Sequence, residues 1–452
     1  MHSNVPWWLT LSVRTALVCS VALTGTAAIS CGGGSETGSG GGTGTSAGGS
    51  TTTGEPSTTT GNGGSGGGEN PVVCEGVTCS GHGKCVAANN APVCNCDSGY
   101  IATDPQTCAP SEAPTIGGCQ ILPSDHIFNT PIDKLPVDKQ SAQFLDTIGN
   151  HKLHIDLGQS VDVNKPDEYY GIPYNVVHGG SMTWAQVHYF STDPEDGATT
   201  DESDCADASS GSKHTVVSPC LASAAPQPVF PIPATPLVEG AIDTDPSQPY
   251  GDHHTLLLDA DSCRLWELYH VFPHAGGGGW DIWGSATFDL GSNKLRPDDW
   301  SSSDAAGFPI LPLLLRVDEA SSGEIKHALR FTILSSRIRE AHIWPARHTT
   351  HNGTGAAELP PMGQLFRIKA SYTIPANFNT QSRAILQALK TYGMYIADGG
   401  SNMFIQGEPS PAWEDDTFDQ VQSVGNDVFE AVDLTPIHQR AGFDPNSAAV
   451  PK

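Results

Sequence analysis

Five residues in the second half of the chain have side chains suited to acid–base chemistry on a substrate. His254 and His348 can exchange protons near neutral pH, and Asp398 can act as a general acid or base. Arg330 lies in an apolar run, so its charge requires a carboxylate partner or an anionic ligand. His327 shares the apolar face of that run, a placement also typical of a structural core histidine. We predict catalytic roles for His254, His327, Arg330, His348 and Asp398.

Four further residues could hold a substrate. Trp344 offers an aromatic surface for a sugar ring, and Glu319 could pair with Asp398 in glycoside hydrolysis. Arg367 and Lys369 are two residues apart in a predicted strand and so face the same way, as a floor for an acidic substrate. A solvated strand face is the alternative reading of that pair. We predict substrate-binding roles for Trp344, Arg367, Lys369 and Glu319.

Several common catalytic patterns are missing. The sequence has no G-x-S-x-G, no P-loop, no G-x-G-x-x-G after a strand and no H-E-x-x-H. Serine hydrolases, kinases and nucleotide-dependent oxidoreductases are therefore disfavoured, and we expect no cofactor. We assign no metal site, although the His and carboxylate content leaves a zinc or calcium site open.

The elements that must position these residues are mostly short strands. Strand-like runs between Gly, Pro, Asn and Asp are found at 182–190, 254–258, 264–272, 328–334 and 365–374. Helical signals are few: residues 382–392, ended by Gly393, with weaker candidates at 140–148 and 415–424. The pattern predicts a mainly β large domain at 115–440, a β-sandwich or jelly roll with a few helices, with an α+β fold as the alternative.

The N-terminal region predicts an anchored, extracytoplasmic protein. Residues 1–30 fit a secretory signal peptide, and the run Ala28-Ile29-Ser30-Cys31 resembles a bacterial lipobox, which implies a lipid on Cys31 and an outer-membrane destination. Ordinary signal cleavage is the alternative. Residues 31–72 are predicted to form a Gly/Ser/Thr-rich linker.

The 452-residue chain has 22 Lys and Arg against 49 Asp and Glu, a net charge of −27, which disfavours a nucleic-acid partner.

A cysteine-dense module is expected at 73–109. Its six cysteines allow fifteen pairings, and spacing alone does not choose among them. The spacing, with Gly81 and Gly83 before the third cysteine and Gly99-Tyr100 after the fifth, resembles an EGF-like module. That resemblance implies the pairs Cys74–Cys85, Cys79–Cys94 and Cys96–Cys108. Of the four remaining cysteines, Cys205 and Cys220 enclose a polar loop, so we pair them and predict Cys119–Cys263 as the other bridge.

Motifs in the large domain resemble a set found together in secreted bacterial proteins of an uncharacterised family. They are GIPYNVV at 171–177, DAAGFPILP at 304–312, HALRFT at 327–332, WPARH at 344–348, PPMG at 360–363 and YGMYIADGGS at 392–401. The resemblance implies one continuous domain and no particular reaction.

Three functions remain open from the sequence. The first is a cell-surface carbohydrate-active enzyme, either a lyase or a hydrolase, acting on an extracellular polysaccharide. In the lyase version, Arg330, Arg367 and Lys369 neutralise a uronate while His254 or His348 removes the C5 proton. The second is a non-catalytic surface lipoprotein that binds a glycan or a protein. The third is a structural protein of the cell envelope.

Overall fold

The computed structural model describes residues 73–88, 91–96, 100–110, 113–162, 171–189, 201–220, 228–242, 252–350 and 354–451. The predicted signal peptide, the lipidation site Cys31 and the linker at 31–72 lie outside the described residues. Within the described part, strands predominate over helices, and the predicted mainly β fold with a few helices is confirmed.

The strands are numbered in chain order. The first twelve are β1 Gly83–Ala88, β2 Ala91–Cys96, β3 Tyr100–Asp104, β4 Thr107–Pro110, β5 Thr115–Ile116, β6 Cys119–Gln120, β7 His154–Asp156, β8 Tyr174–Val177, β9 Ala185–Tyr189, β10 Cys205–Asp207, β11 Thr215–Val217 and β12 Pro228–Phe230. The others are β13 Thr255–Asp259, β14 Arg264–Tyr269, β15 Phe272–Pro273, β16 Trp280–Ile282, β17 Gly284–Asp289, β18 Leu329–Ile333, β19 Arg339–His342, β20 Pro361–Met362, β21 Leu365–Ile368, β22 Met394–Gly399, β23 Phe404–Gln406 and β24 Phe429–Ala431. The helices are α1 Ser141–Ile148, α2 Val317–Ser322, α3 Thr380–Thr391, α4 Asp415–Gln422 and α5 Thr435–His438.

Three larger sheets form the body of the domain. Sheet I has the order β11-β10-β12-β9-β16-β15, sheet II β17-β14-β13-β8 and sheet III β24-β21-β22-β18-β23-β7. The sheets are mixed, because β13 with β8, β16 with β9, β18 with β22 and β23 with β7 are parallel pairs.

Sheet II is buried on both faces. The side chains of β13 alternate, with Leu256 and Leu258 in the larger core and Leu257 in a smaller core. The smaller core also contains Trp266 of β14 in sheet II and Phe230 of β12 in sheet I. A continuous apolar run such as that of β13 is typical of a strand covered on both sides. The larger core also takes side chains from sheet III and from α1 and α3.

The predicted helix before Gly393 is α3, which begins and ends as its sequence dictates. The Asn379 side chain accepts the Ser382 N–H at 2.8 Å, a helix cap that satisfies one free backbone donor. Gly393 has φ +76°, and a Cβ there would lie 2.5 Å from the Phe366 carbonyl oxygen. The weaker helix candidates are also confirmed as α1 and α4. Among the described residues, no helix combines the length and the apolar character needed to cross a membrane.

Disulfides close two regions of the chain. In the cysteine-dense region, Cys74–Cys85 and Cys79–Cys94, two of the three expected pairs, join the segment before β1 to the β1–β2 hairpin. The region is a small disulfide-rich module. The third expected pair involves Cys96, whose side chain lies outside the described residues. In the large domain, Cys119–Cys263 and Cys205–Cys220 are present as predicted.

Candidate functional site

One face of sheet III carries a row of polar side chains. Strand pairing places Tyr395, Arg330, Gln406 and Asp156 side by side on the adjacent strands β22, β18, β23 and β7. Paired residues point to the same face of a sheet, so these four side chains share one side. The predicted alternation in β18, with Arg330 and Thr332 opposite Phe331 and Ile333, matches this register.

A β-bulge brings Asp398 onto the same face. Phe331 pairs with Ile396, but Thr332 pairs with Asp398, so Ala397 is the extra residue. Without that extra residue, strict alternation would turn Asp398 to the opposite face. The Asp398 carboxylate instead accepts the Ala305 N–H at 3.2 Å, beside the partner of Arg330. The sheet irregularity is thus what positions this acid.

Arg330 is buried, and each of its three guanidinium nitrogens donates a hydrogen bond. Its Nε and Nη2 donate to Asp304 Oδ2 at 3.1 and 2.7 Å, and its Nη1 donates to the Gln406 side-chain oxygen. Arg330 and Asp304 are each 1 % exposed. The carboxylate partner that a strand arginine requires is therefore Asp304, in the segment before α2.

His254 lies next to this pair as a charged imidazolium. Its Nδ1 is 2.6 Å from Glu239 Oε2 and its Nε2 is 2.8 Å from the Ser303 carbonyl oxygen. Both partners are acceptors, so both ring nitrogens carry protons. Burial alone would lower the pKa of His254, but Glu239 raises it to about 9. His254 therefore donates two hydrogen bonds and cannot act as the base that the lyase version assigned to it.

Carboxylates surround the Arg330–Asp304 pair, and their pKa values differ. Burial, followed by the nearby charge of Asp304, raises the pKa of Asp398 to about 7. Burial and the charge of Glu239 raise the pKa of Asp156 to about 6. Glu239 is shifted the other way, because His254 lowers its pKa more than burial raises it. Near neutral pH the group therefore holds proton-bearing and ionised carboxylates together, the arrangement that acid–base catalysis requires.

Asp252 completes this group at its exposed edge. Its side chain is exposed, and it accepts a hydrogen bond from the Tyr269 hydroxyl. Burial and then Asp252 raise the pKa of Tyr269 far above neutrality, so Tyr269 remains a phenol that donates. The residues Asp156, Glu239, Asp252, His254, Tyr269, Asp304, Arg330, Asp398 and Gln406 are called the acidic cluster below.

An aromatic surface adjoins the acidic cluster. Thr332 pairs with both Asp398 and Phe404, and Phe404 pairs with His154, so these side chains form a second row on the same face of sheet III. The rings of Phe404 and His154 stack with centroids 3.9 Å apart, and both are half-buried. Adjacent strands are about 4.8 Å apart, which places Phe404 about 10 Å from Asp398 across two strands. The exposed parts of these two rings offer an aromatic surface on which a sugar ring can stack.

His348 reaches the acidic cluster through a backbone contact. Its Nδ1 donates to the Ala305 carbonyl oxygen at 2.9 Å, while the Ala305 N–H donates to Asp398. The side chain is half-buried. Four of the five predicted catalytic residues, namely His254, Arg330, His348 and Asp398, thus meet around residues 303–305.

His327 lies elsewhere, in a sealed ion cluster with Arg316 and Glu319. Its Nδ1 donates to the Ala328 carbonyl oxygen at 2.8 Å, and its Nε2 is 3.0 Å from both Glu319 Oε2 and Arg316 Nη2. His327 is fully buried. The structure therefore does not bring His327 or Glu319 to Asp398, and it gives both of them structural partners. Arg316, Glu319 and His327 are called the sealed cluster.

The other predicted substrate-binding residues also hold structural contacts. Trp344 is 9 % exposed, donates to the Ser447 carbonyl oxygen at 2.9 Å and packs against the C-terminal segment. Arg367 donates to Glu430 at 2.8 Å and to two backbone carbonyls, whereas Lys369 donates to the Asp427 carbonyl oxygen at 2.7 Å. Neither shares a partner with Arg330, so no common cationic floor forms.

Reasoning from the sequence missed several members of the site. Glu239, Tyr269 and Asp156 carry no motif, and only folding brings them to Arg330. The stacked pair His154 and Phe404 comes from segments about 250 residues apart. Asp304 could have been found, because it opens the quoted DAAGFPILP motif and Arg330 needed an acid.

Metal-ligand groupings are sparse in the part of the chain that the structure describes. The sets of three suitable ligand atoms that gather closely there are three cysteines of the disulfide-rich module and the surface group Asp298, Asp299 and His342. In the surface group, Asp298 also lies 3.3 Å from an Arg347 nitrogen, a cation that competes with any metal. We assign no metal to either.

The comparisons with known proteins reach a small part of the chain. One match is to L-selectin from Bos taurus, 47 % identical over 47 residues, which is 10 % of this chain and 13 % of L-selectin. The chain thus spans about an eighth of the length of that protein. No family model matches the sequence. No solved structure matches it either.

Proposed function

We propose that the large domain is a glycoside hydrolase that acts on an extracellular polysaccharide, with the acidic cluster as its active site. The observation that carries the proposal is the placement of Asp398, with a pKa of about 7, near Glu239, whose pKa is lowered, and beside the Phe404–His154 stack. Hydrolysis of a glycosidic bond uses one protonated and one ionised carboxyl group on a bound sugar chain.

In this proposal the two carboxyl groups have separate tasks. Asp398 donates its proton to the leaving glycosidic oxygen as the bond to the anomeric carbon breaks. Asp252, exposed and close enough to contribute to the raised pKa of Asp398, takes a proton from a water molecule whose oxygen bonds to the anomeric carbon as the glycosidic bond breaks. If Asp252 instead bonds to the anomeric carbon itself, a water molecule later hydrolyses that ester and returns a proton to Asp398. The Ala305 N–H holds Asp398 in place, and Arg330 holds Asp304.

Hydrolysis is favoured over the lyase reaction for two reasons. Elimination from a uronate needs a free cation for the substrate carboxylate and a neutral base for the C5 proton. Arg330 is already neutralised by Asp304, and His254 is a charged donor. The surrounding carboxylates would in addition repel a uronate. A neutral glycan suits this surface better.

The test is reducing-end release from a panel of neutral and acidic polysaccharides, compared between wild type, Asp398→Asn and the surface control Asp419→Asn. We expect activity on a neutral polymer that falls above pH 7 as Asp398 loses its proton, and a loss of about a thousandfold in Asp398→Asn. The control should match wild type. Full activity in Asp398→Asn would refute the proposal, and saturable binding of a glycan without turnover would instead support a surface-binding protein.

We also propose that residues 73–109 are an EGF-like module and that Cys31 carries a lipid, so that the catalytic domain is displayed at a bacterial cell surface. The two bridges Cys74–Cys85 and Cys79–Cys94 follow the first-to-third and second-to-fourth pairing of that resemblance. Metabolic labelling with a radioactive fatty acid, compared between wild type and Cys31→Ser, tests the anchor. Equal labelling of the two proteins would refute it.

A further inference from the structure

A cavity lies at the edge of sheet II, and it shares no lining residue with the acidic cluster. Its volume is about 330 Å³. Side chains of β14 and β17, the segment after β17 and residues 307–309 line it. This volume falls in the range of small-molecule sites, at its lower end.

Cations are concentrated around this cavity. Arg264, Lys294 and Arg296 line it together with Asp204 and Asp289, giving a net charge of +1 in a chain whose net charge is −27. Arg296 is neutralised, because it is ion-paired with Asp204 and donates to two carbonyl oxygens. The charge available to a ligand therefore comes from Arg264 and Lys294.

Arg264 is only loosely held by its neighbours. Its Nη1 lies 3.4 Å from the Thr287 hydroxyl and its Nη2 lies 3.9 Å from Asp289, whose side chain is 58 % exposed. Both separations are longer than a charge-assisted hydrogen bond of about 2.8 Å. The guanidinium can therefore form shorter bonds to an anion without breaking a strong contact.

A buried histidine adds a neutral donor. His126 lines the cavity and is 4 % exposed, and its Nδ1 accepts the Phe128 N–H at 3.2 Å. Burial lowers the pKa of His126 to about 3, so the ring is neutral and its single proton lies on Nε2. No described residue accepts that proton, which leaves a hydrogen-bond donor for a ligand.

The remaining wall carries the hydroxyl groups of Ser218, Thr287 and Ser292 and an apolar part. Leu122, Phe128, Phe288, Leu295 and Phe308 contribute hydrocarbon surface beside the cations. A ligand that matches both parts has an anionic group at one end and a flat apolar body at the other.

We propose that this cavity binds a small organic carboxylate with an aromatic or alicyclic body, with the carboxylate held by Arg264 and Lys294. Such a site is separate from the proposed hydrolase chemistry and stands or falls independently of it.

The test uses 3-phenylpropanoate as the probe and its uncharged analogue 3-phenylpropan-1-ol as the matched ligand, with affinities measured by titration calorimetry on the full chain. We expect the acid to bind at least about tenfold more tightly than the alcohol, the value of one charge-assisted contact. Arg264→Gln should weaken binding of the acid about tenfold. The affinity of Arg264→Lys should lie between those of wild type and Arg264→Gln. The exposed Arg383→Gln is the control for lost positive charge.

Two more variants test whether a loss of ligand binding could be caused by misfolding. Lys294→Gln changes an exposed side chain and should weaken the acid about threefold. Leu295→Trp fills the cavity and should abolish binding while far-ultraviolet circular dichroism and the urea unfolding midpoint stay unchanged. Equal affinity for acid and alcohol, equal affinity of Arg264→Gln and Arg383→Gln, or no binding of the acid at millimolar concentration would each overturn the proposal.

Discussion

The acidic cluster and the sealed cluster are built from the same residue types yet differ in the balance between carboxylates and cations. In the sealed cluster, Arg316, Glu319 and His327 bond to one another and to backbone carbonyls, and all three are buried. Burial would raise the pKa of Glu319, but Arg316 and His327 lower it to about 2. In the acidic cluster the pKa of Asp398 moves the other way, to about 7.

The difference teaches how to separate structural from chemical charges. Glu319 is paired with both Arg316 and His327, which keep it ionised at all ordinary pH values. Around Arg330, one guanidinium and one imidazolium serve several carboxylates, so some must take up protons. Carboxylates in excess over nearby cations, with partial exposure, mark the site where proton transfer can occur.

The largest expected effect tests the structural nature of the sealed cluster. Glu319→Gln leaves Arg316 buried without a counter-charge, so the free energy of unfolding should fall by about 3–5 kcal/mol. The folded fraction should keep wild-type activity per molecule. Urea unfolding and specific activity measure the two quantities. Glu324→Gln, in an exposed ion pair with Lys326, is the control and should change stability by less than about 1 kcal/mol. A loss in Glu319→Gln no larger than in this control would remove the distinction between the clusters.

An intermediate effect concerns the pH dependence of stability. The folded-state pKa of Asp398 is about 7 against an ordinary 3.8, so the folded state binds its proton more tightly and loses stability as the pH rises from about 4 to 7. Asp398→Asn removes this loss, and the variant should gain about 1–3 kcal/mol relative to wild type between pH 5 and pH 8.

Glu319 has the opposite sign. Its folded-state pKa is about 2 against 4.5, so its stabilisation is fully present above about pH 4.5 and is lost as the pH falls through 2. Chemical unfolding of Asp398→Asn, Glu319→Gln and wild type across this range checks both signs. Parallel stability curves for the two variants would contradict the pKa assignments.

The smallest expected effect concerns the aromatic surface. Phe404→Ala removes one stacking face, so the KM for a neutral polysaccharide should rise about fivefold to tenfold with little change in kcat. Trp344→Phe, which alters a residue packed against the C-terminal segment, is the matched aromatic control and should leave KM unchanged. If Trp344→Phe raised KM and Phe404→Ala did not, the sugar-binding surface would have to be placed at Trp344.

Local patterns in the sequence predicted much of the fold and part of the candidate site. Apolar runs and turn residues predicted β13, β14 and β18, and the helical spacing before Gly393 predicted α3. An arginine in an apolar strand implied either a carboxylate partner or an anionic ligand, and the structure supplies the carboxylate of Asp304. The partners of Glu319 and Arg367 were not predictable, because they depend on strand order and loop packing. The bulge at Ala397, which decides the direction of Asp398, has no sequence signal of its own.

The bridge between Cys119 and Cys263 has a consequence for handling the protein. It joins positions 144 residues apart, and the interval contains Asp156, Glu239 and Asp252, whereas Arg330 and Asp398 follow it. A protease that cuts once between Asp156 and Cys263 produces two fragments that remain covalently linked, each supplying part of the catalytic group. Such a nicked sample would migrate as one species on a non-reducing gel and separate only after a thiol is added. Purity should therefore be judged under both conditions.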